Sequence, residues 1–280
     1  MHPILELART GQPPRAFLES VGVIFATFDE RTQDSGNASY GIEVEGAKYF
    51  VKTAGKPSRA HLERHERIGL LRNGAGLNQQ CPHPAMPKLH NVIESPEGPM
   101  LIYDWVEGEL LGVPKERRED PRSSFQRFRA LPVEEITRAL SAVYDLHHHL
   151  ARAGWIASDF YDGSLIYDFQ ARCLFVVDLD HYHHGPFKNT MGRMFGSTRL
   201  MAPEEHELGA SIDQRATVFT MGRTALVFLS DGSSDRASFR GSDDLFEVVL
   251  RACAREKEDR WQSFADFWNA WRLAAESDPH

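Results

Sequence analysis

The sequence has few cysteines and no long apolar run. Only 3 of its 280 residues are cysteines, and Cys81, Cys173 and Cys253 are too widely spaced for a metal motif or a disulfide framework. No apolar stretch approaches the length of a membrane span, and the first residues do not have the pattern of a signal peptide. These absences favour a reducing, cytoplasmic setting.

Basic residues are in the minority. The chain has 32 Lys and Arg against 40 Asp and Glu, which gives a formal net charge of −8. A net negative charge disfavours nucleic acid or an anionic membrane as the main partner, so we expect neither. The length allows a sizeable core, built as one large domain or as two lobes.

Two carboxylates bracket a predicted hairpin in the middle of the chain. Short apolar runs at 165–167 and 174–177 are joined by a turn, with Asp159 before them and Asp178 after them. A hairpin brings its outer ends together, so we expect both carboxylates to face one small volume. Paired carboxylates suit a divalent metal and a proton-accepting role, as phosphoryl transfer needs. A surface hairpin flanked by solvated acids is the alternative.

The first hundred residues predict a β-rich domain with one helix. Strands are expected at 21–28, 40–44, 48–52, 89–93 and 99–105, with Pro13-Pro14 breaking any early helix and Ser58 capping a later one. The polar turn at 34–39 can lay backbone N–H groups over a phosphate. Lys52 closes the third strand and points either inward to a phosphate or outward to water. Glu66, or alternatively Glu63, can pair with it.

The composition changes near residue 108, where we place a boundary between domains 1–108 and 109–280. Apolar residues then recur at steps of three and four, which predicts an amphipathic helix over 132–151. Its three consecutive histidines, 147–149, point in different directions, so they predict packing and solvent roles rather than one metal site.

Taken in chain order, the motifs of residues 21–271, nearly the whole chain, resemble those of the protein kinase-like superfamily. Phe50-Val51-Lys52 resembles the third-strand lysine motif, and Asp104-Trp105-Val106 resembles the hinge that binds adenine. Asp159 matches the catalytic-loop aspartate, and Val177-Asp178-Leu179-Asp180 stands where the metal-binding D-F-G motif lies. Residues 196–204, ending in Ala-Pro-Glu, are similar to the end of an activation segment, whose Glu204 would pair with Arg260.

The resemblance implies an α+β, bilobal protein kinase-like fold, with an antiparallel sheet and one helix in a small N-lobe and a mostly helical C-lobe. It also implies an ATP-dependent phosphotransferase that uses Mg²⁺ or Mn²⁺ and a hydroxyl acceptor on a protein or a small molecule. Lys52, held by Glu66, would bind the phosphates, Asp178 would hold the metal, and Asp159 would orient and deprotonate the hydroxyl. The implied catalytic residues are Lys52, Asp159 and Asp178. The implied nucleotide-binding residues are Ser35, Gly36, Asn37, Ala38, Lys52, Glu66, Asp104, Trp105 and Val106, and the implied metal ligands are Asp178, Ser164 and Asp180.

Several positions depart from the family pattern. Gly36, Ala38 and Gly41 stand where three loop glycines would sit, and Ser164 replaces a metal-binding asparagine. Ala157 and Ser158 replace the histidine and arginine before Asp159. Thr217 replaces the aspartate that anchors that backbone, so a linked set of residues is lost together. Tyr161 replaces a lysine, which puts a protein hydroxyl as acceptor in question.

Three classes of function stay open. Residues 196–204 favour a divergent Ser/Thr protein kinase-like enzyme, whereas Ser35-Gly36-Asn37 and 159–164 resemble small-molecule kinases of the aminoglycoside phosphotransferase type. Ser164 and a phosphate loop with few glycines are typical of a nucleotide-binding pseudokinase. A pure scaffold is disfavoured because both aspartates are retained. Without an arginine before Asp159, we expect activity that does not require phosphorylation of Ser197 or Thr198.

Overall fold

The computed structural model describes residues 2–29, 36–56 and 62–276, which form a mixed α+β protein of two compact units, 1–106 and 107–280. The division falls close to the boundary that the composition suggests at residue 108. Among the described residues, no helix combines the length and the apolar character that crossing a membrane requires.

The first unit is built on an antiparallel sheet of five strands. In sequence order these are β1 (Val23–Phe28), β2 (Ala38–Val44), β3 (Ala47–Thr53), β4 (Leu89–Ser95) and β5 (Gly98–Asp104), and they lie side by side in the order β1-β2-β3-β5-β4. Its helices are α1 (Pro3–Glu6), α2 (Pro14–Val21) and α3 (Arg64–Gln80).

Helices pack on both faces of this sheet. Val51 of β3 lies in a buried cluster with Phe17 and Leu18 of α2, whereas the neighbouring Phe50 packs on a second cluster that includes Leu71 of α3. Because side chains alternate along a strand, Lys52 shares the face of Phe50, on the side of α3. Lys52 and α3, the helix that carries Glu66, therefore lie on the same side of the sheet.

Two elements of this unit differ from the sequence predictions. Pro13 and Pro14 do not interrupt a helix but begin one, since proline is well tolerated at the first helical position. The later helix begins at Arg64, with Glu63 as its N-cap, rather than at Ser58. Ser58 itself lies outside the described residues.

The second unit is mainly helical. Its helices are α4 (Ser124–Arg129), α5 (Val133–Arg152), α6 (Gln214–Leu229), α7 (Asp243–Ala252) and α8 (Phe264–Glu276). Its strands are short: β6 (Glu109–Leu110), β7 (Trp155–Ile156), β8 (Leu165–Asp168), β9 (Cys173–Val176), β10 (His183–His184), β11 (Phe187–Lys188) and β12 (Ser211–Ile212). Helix α6 is buried along most of its length, so the unit packs around it.

The predicted central hairpin is confirmed. Strands β8 and β9 pair antiparallel, with Leu165 opposite Val176 and Asp168 opposite Cys173. At the open end of the hairpin, the N–H of Val177 donates to the carbonyl of Ser164 over 2.8 Å. The chain on either side of the hairpin is thereby held together at the point where the two predicted site segments begin.

A buried ion pair joins distant parts of this unit, as the sequence predicts. Both guanidinium nitrogens Nη1 and Nη2 of Arg260 donate to the carboxylate of Glu204, over 2.8 and 3.0 Å. The carbonyls of Arg215, Ala254 and Arg255 accept the remaining N–H groups. All five donors of Arg260 are therefore used, as its complete burial requires.

Removing either partner of this pair leaves an uncompensated buried charge. We expect Glu204→Gln and Arg260→Met each to lower the free energy of unfolding by roughly 3–5 kcal/mol, measured by urea denaturation. Glu19→Ala, which breaks the exposed pair with Arg15, is the control and is expected to leave the free energy of unfolding nearly unchanged. Equal effects of the buried and the exposed changes would contradict the role given to this pair.

Candidate functional site

Lys52 shares its face of the sheet with a group of aromatic rings, called here the aromatic face: Phe25, Phe28, Phe50 and Trp105. The ring of Trp105 packs edge-on against Phe25 with centroids 4.8 Å apart, and Phe28 lies 6.1 Å from Phe50. Phe25 is 42% exposed, although it is a large apolar side chain. A partly exposed apolar surface beside a lysine suits an aromatic base with attached phosphates.

Gly41 has a packing role rather than a loop role. It lies inside β2, where an added Cβ would stand 2.6 Å from Cε2 of Phe25 and 2.9 Å from Cζ3 of Trp105. Only glycine leaves room for both rings at this position. The expectation that Gly41 is one of three loop glycines was therefore wrong.

The predicted phosphate loop is described only in part. Ser35 lies outside the described residues, Gly36 has φ of +77°, and Ala38 already begins β2. Gly55 packs closely on this backbone, since a Cβ there would lie 2.7 Å from the Gly36 carbonyl oxygen. Residues 36–38 line a cavity of about 290 Å³ that they share with Arg15 of α2, and Lys52 is not part of its wall.

Glu66 lies in the first turn of α3 and is exposed. Its carboxylate accepts the N–H of Glu63, the N-cap residue of α3, over 2.7 Å. The inward-facing neighbour is Arg67, which is buried and donates to the carbonyls of Ala54 and Leu62. Desolvation is the main cause that lowers the pKa of Arg67. The described contacts of Glu66 therefore cap its own helix.

Asp104-Trp105-Val106, the segment expected to bind adenine, lies at the end of the first unit. The N–H of Asp104 donates to the Lys88 carbonyl, and the N–H of Trp105 donates to the Lys48 carbonyl over 3.3 Å. The carboxylate of Asp104 lies 2.5 Å from Nε2 of His90. Because the first two amides are engaged within the sheet, adenine recognition here would depend on Val106 and on carbonyl groups.

The two aspartates of the second unit have unusual backbone conformations. Among the described residues, four other than glycine have a positive φ, and two of these, Glu45 and Arg172, lie in hairpin turns. The other two are Asp159, at +60°, and Asp178, at +63°. Left-handed backbone outside tight turns is costly and concentrates at functional sites. Asp178 is exposed and Asp159 is partly buried, so both are open to a ligand.

Both aspartates act electrostatically on one buried phenol. Burial is the main cause that raises the pKa of Tyr182, and the charges of Asp159 and Asp178 raise it further. The Tyr182 hydroxyl donates to Nε2 of His147 over 2.7 Å, since Nδ1 of that ring carries the proton given to the Val143 carbonyl. The two carboxylates thus lie near a common ring, as the predicted hairpin requires. His147 has the packing role expected of it.

The three predicted metal ligands differ in accessibility. Asp178 is exposed, whereas Asp180 and Ser164 are buried, and Ser164 Oγ accepts the N–H of Tyr161 over 3.5 Å. In the described part of the chain, no group of three or more His, Cys, Asp or Glu side chains is arranged to hold a metal ion. Carboxylates at 178 and 180 still fit Mg²⁺, which uses one or two protein carboxylates together with water and phosphate oxygens.

The backbone before Asp159 is anchored by Thr217. The N–H of Ala157 donates to Oγ1 of Thr217, on the buried helix α6, over 3.0 Å. The expectation that this anchor is lost together with the neighbouring histidine and arginine was therefore wrong. A hydroxyl accepts the same kind of backbone hydrogen bond that a carboxylate would, without bringing a charge into the core.

Residues 189–206, called here the 189–206 segment, pack against the Asp159 backbone. A Cβ added to Gly196 would lie 3.6 Å from Cα of Asp159. His181 also approaches this residue, with Nε2 3.8 Å from the Asp159 carboxylate, and its ring meets Phe195 edge-on. The segment thus forms one side of the space around Asp159.

The amide of Asn189 fixes the shape of this segment. Its Nδ2 donates to the carbonyls of Gly192, Glu204 and Glu205, and its Oδ1 accepts from the N–H groups of Met191 and Gly192. The residue is buried. No local sequence pattern indicates this role, because the partners lie at both ends of the segment.

Comparison with models of known protein families and with curated proteins found no match to this chain.

The Thr217 anchor can be tested with a nearly isosteric change. Thr217→Val leaves the buried N–H of Ala157 without an acceptor, so we expect a loss of about 1–3 kcal/mol in the free energy of unfolding. Thr217→Ser keeps the hydroxyl and is expected to lose less. Amide exchange of Ala157 reports the bond directly. Unchanged protection of that amide in the valine variant would show that Thr217 does not anchor it.

Glu205 gives a prediction about pH. Burial is the main cause that raises its pKa to about 8, with Glu204 and Asp159 adding to the rise, while the N–H of Ala202 opposes it. The folded state therefore favours the protonated acid, and stability is lost as the pH rises from about 5 through 8. We expect Glu205→Gln to flatten this loss in thermal unfolding scans, and Glu207→Gln, at an exposed neighbour, to leave it unchanged. A parent-like pH dependence in Glu205→Gln would contradict the shift.

Proposed function

We propose that the chain is an ATP-dependent phosphotransferase with a protein kinase-like fold, in which the first unit is the N-lobe and the second the C-lobe. The observation that carries the proposal is the pair Asp159 and Asp178. Both have left-handed backbone, both lie just outside one hairpin, and both charges act on the same buried ring. A structural hairpin has no need of two strained carboxylates close together.

Each of the predicted site residues would have one role in phosphoryl transfer. Lys52 would bind the phosphates from its face of the sheet, and the aromatic face would receive adenine, with Val106 as a hydrogen-bonding group. Asp178, with Asp180, would hold Mg²⁺, which when bound neutralises charge on the phosphates. Asp159 would orient the acceptor hydroxyl and take its proton. Such catalysis rests on positioning and on fixed charge, with little covalent chemistry for the protein.

A hydroxyl of a protein is the acceptor that the second unit supports best. Near its end the 189–206 segment carries Glu204, whose buried pair with Arg260 holds it in place. A platform for a peptide requires such a fixed geometry. A small-molecule kinase of the aminoglycoside phosphotransferase type is the alternative. We place either enzyme in the cytoplasm.

One observation favours a different class, a nucleotide-binding pseudokinase. Ser164, which stands where a second metal ligand is expected, is buried and accepts a local backbone N–H. With this hydroxyl engaged, the second metal position would rest on Asp180 alone. Such a protein would bind nucleotide without turning it over.

The deciding measurement is ADP release from Mg·ATP or Mn·ATP, with Ser- and Thr-containing peptides and with polyhydroxylated small molecules as acceptors. We expect turnover that falls roughly 10²- to 10⁴-fold in Asp159→Asn, because a general base contributes about that much. Asp178→Asn is expected to lose metal-dependent nucleotide binding while its thermal unfolding stays near that of the parent. Asp145→Asn, at an exposed position of α5, is the matched control and is expected to retain activity.

Two results would overturn the enzyme assignment. A thermal shift with nucleotide, without ADP release for any acceptor, would identify the pseudokinase. No nucleotide effect at all would contradict both proposals.

A further inference from the structure

The loop that follows Asp159 is held by an ion pair with the 189–206 segment. Arg199 donates from Nη2 to Oδ2 of Asp162 over 2.7 Å. Asp162 is 3% exposed, and it lies three residues after Asp159, at the start of the short 3₁₀ turn Asp162–Ser164. A buried carboxylate needs a charged or hydrogen-bonding partner, and Arg199 supplies one.

Arg199 is itself held in place from other sides. The carbonyl of Arg199 accepts Nε of Arg223, on α6, over 2.9 Å, and its guanidinium lies 5.9 Å from the centre of the Phe125 ring. About a quarter of its side chain is exposed, so its charge is only partly screened by water. The described neighbours of this guanidinium are thus one carboxylate and one aromatic ring, while the second cation, Arg223, holds the Arg199 backbone.

The segment and the loop run side by side. Gly196 approaches the backbone of Asp159, and Arg199, three residues later, contacts Asp162, three residues after Asp159. On its other side the turn is confined by Gly112, where a Cβ would lie 2.5 Å from Cα of Gly163. The position of Asp159 therefore depends on how the 189–206 segment is held.

From this geometry we infer that Arg199 is a positioning residue for Asp159, acting through Asp162 as a permanent charged link between segment and loop. The inference rests on the proposed function and adds a mode of control to it. The segment supplies the cation and the loop supplies the anion, so no added phosphate is needed to join them.

Because Arg199 supplies the positive charge of this ion pair, phosphorylation beside it is expected to weaken the pair. Thr198, next to Arg199, is exposed. A phosphate on its hydroxyl would bring a charge of about −1.5 to −2, compete for the Arg199 guanidinium and leave Asp162 buried without its partner. Phosphorylation at Thr198 would therefore lower activity instead of raising it.

The test compares kcat and KM for ATP in Arg199→Gln, Arg199→Lys, Asp162→Asn and the double variant Arg199→Gln/Asp162→Asn. We expect kcat in Arg199→Gln to fall about 10- to 100-fold, because a small displacement of a catalytic group has effects of this size, with KM for ATP within about twofold of the parent. Arg199→Lys should recover part of the rate. The double variant should be more active than Arg199→Gln, since its loop holds no uncompensated charge. Arg255→Gln, at an exposed arginine, is the control.

The effect of a negative charge next to Arg199 is tested separately, with substitutions at Thr198. Thr198→Asp is expected to lower kcat, whereas Thr198→Ala, and Ser234→Asp at another exposed position, are expected to keep it. A parent-like kcat in Arg199→Gln, additive effects in the double variant, or a higher rate in Thr198→Asp would each overturn the inference.

Amide hydrogen exchange over 159–164 provides a readout that does not depend on turnover. We expect faster exchange of these amides in Arg199→Gln than in the parent or in Arg255→Gln. If the parent releases no ADP, the proposed function fails, and this exchange alone decides whether Arg199 holds the loop. Equal exchange in Arg199→Gln and the parent would show that it does not.

Discussion

The burial of Arg260 is the constraint on which the second unit depends. A guanidinium without access to water requires acceptors for five N–H groups, and here they come from Glu204 and three backbone carbonyls. Glu204 lies near the end of the 189–206 segment, whose Gly196 approaches Asp159. The Arg215 carbonyl belongs to α6, which two residues later carries Thr217, the anchor of Ala157. The buried Arg260 is thus connected to the loop around Asp159 in two ways, through the 189–206 segment and through α6.

The loop around Asp159 combines charged and uncharged restraints. Thr217 contributes a neutral hydrogen bond before Asp159, and Arg199 contributes an ion pair after it. Tyr182 and His147 add a buried hydrogen bond near both aspartates without adding charge. Each further buried charge in this region would alter the pKa values of the groups already there, which the uncharged restraints avoid.

Local patterns in the sequence predicted the elements that they encode directly. The two apolar runs at 165–167 and 174–177 predicted β8 and β9, and the three- and four-residue steps predicted α5. The motif order predicted the pairing of Glu204 with Arg260. The errors came where tertiary packing decides. Proline breaks a helix in one context and begins it in another, as Pro13 and Pro14 do here. The need for Gly41 depends on two rings, one on the adjacent strand β1 and one just after β5. Asp162 and Arg199 lie 37 positions apart and belong to no periodic pattern, so only the fold brings them together.

The left-handed backbone at Asp159 and Asp178 also restricts how this chain can diverge. Glycine adopts such a conformation freely, and asparagine and aspartate bear a smaller cost there than alanine, β-branched or bulky residues do. If the proposed activity is correct, a descendant that lost it while keeping the fold would first replace these aspartates by asparagine or glycine. The residues at these two positions would then distinguish a lineage that has lost the proposed activity from one whose local fold has also been rebuilt.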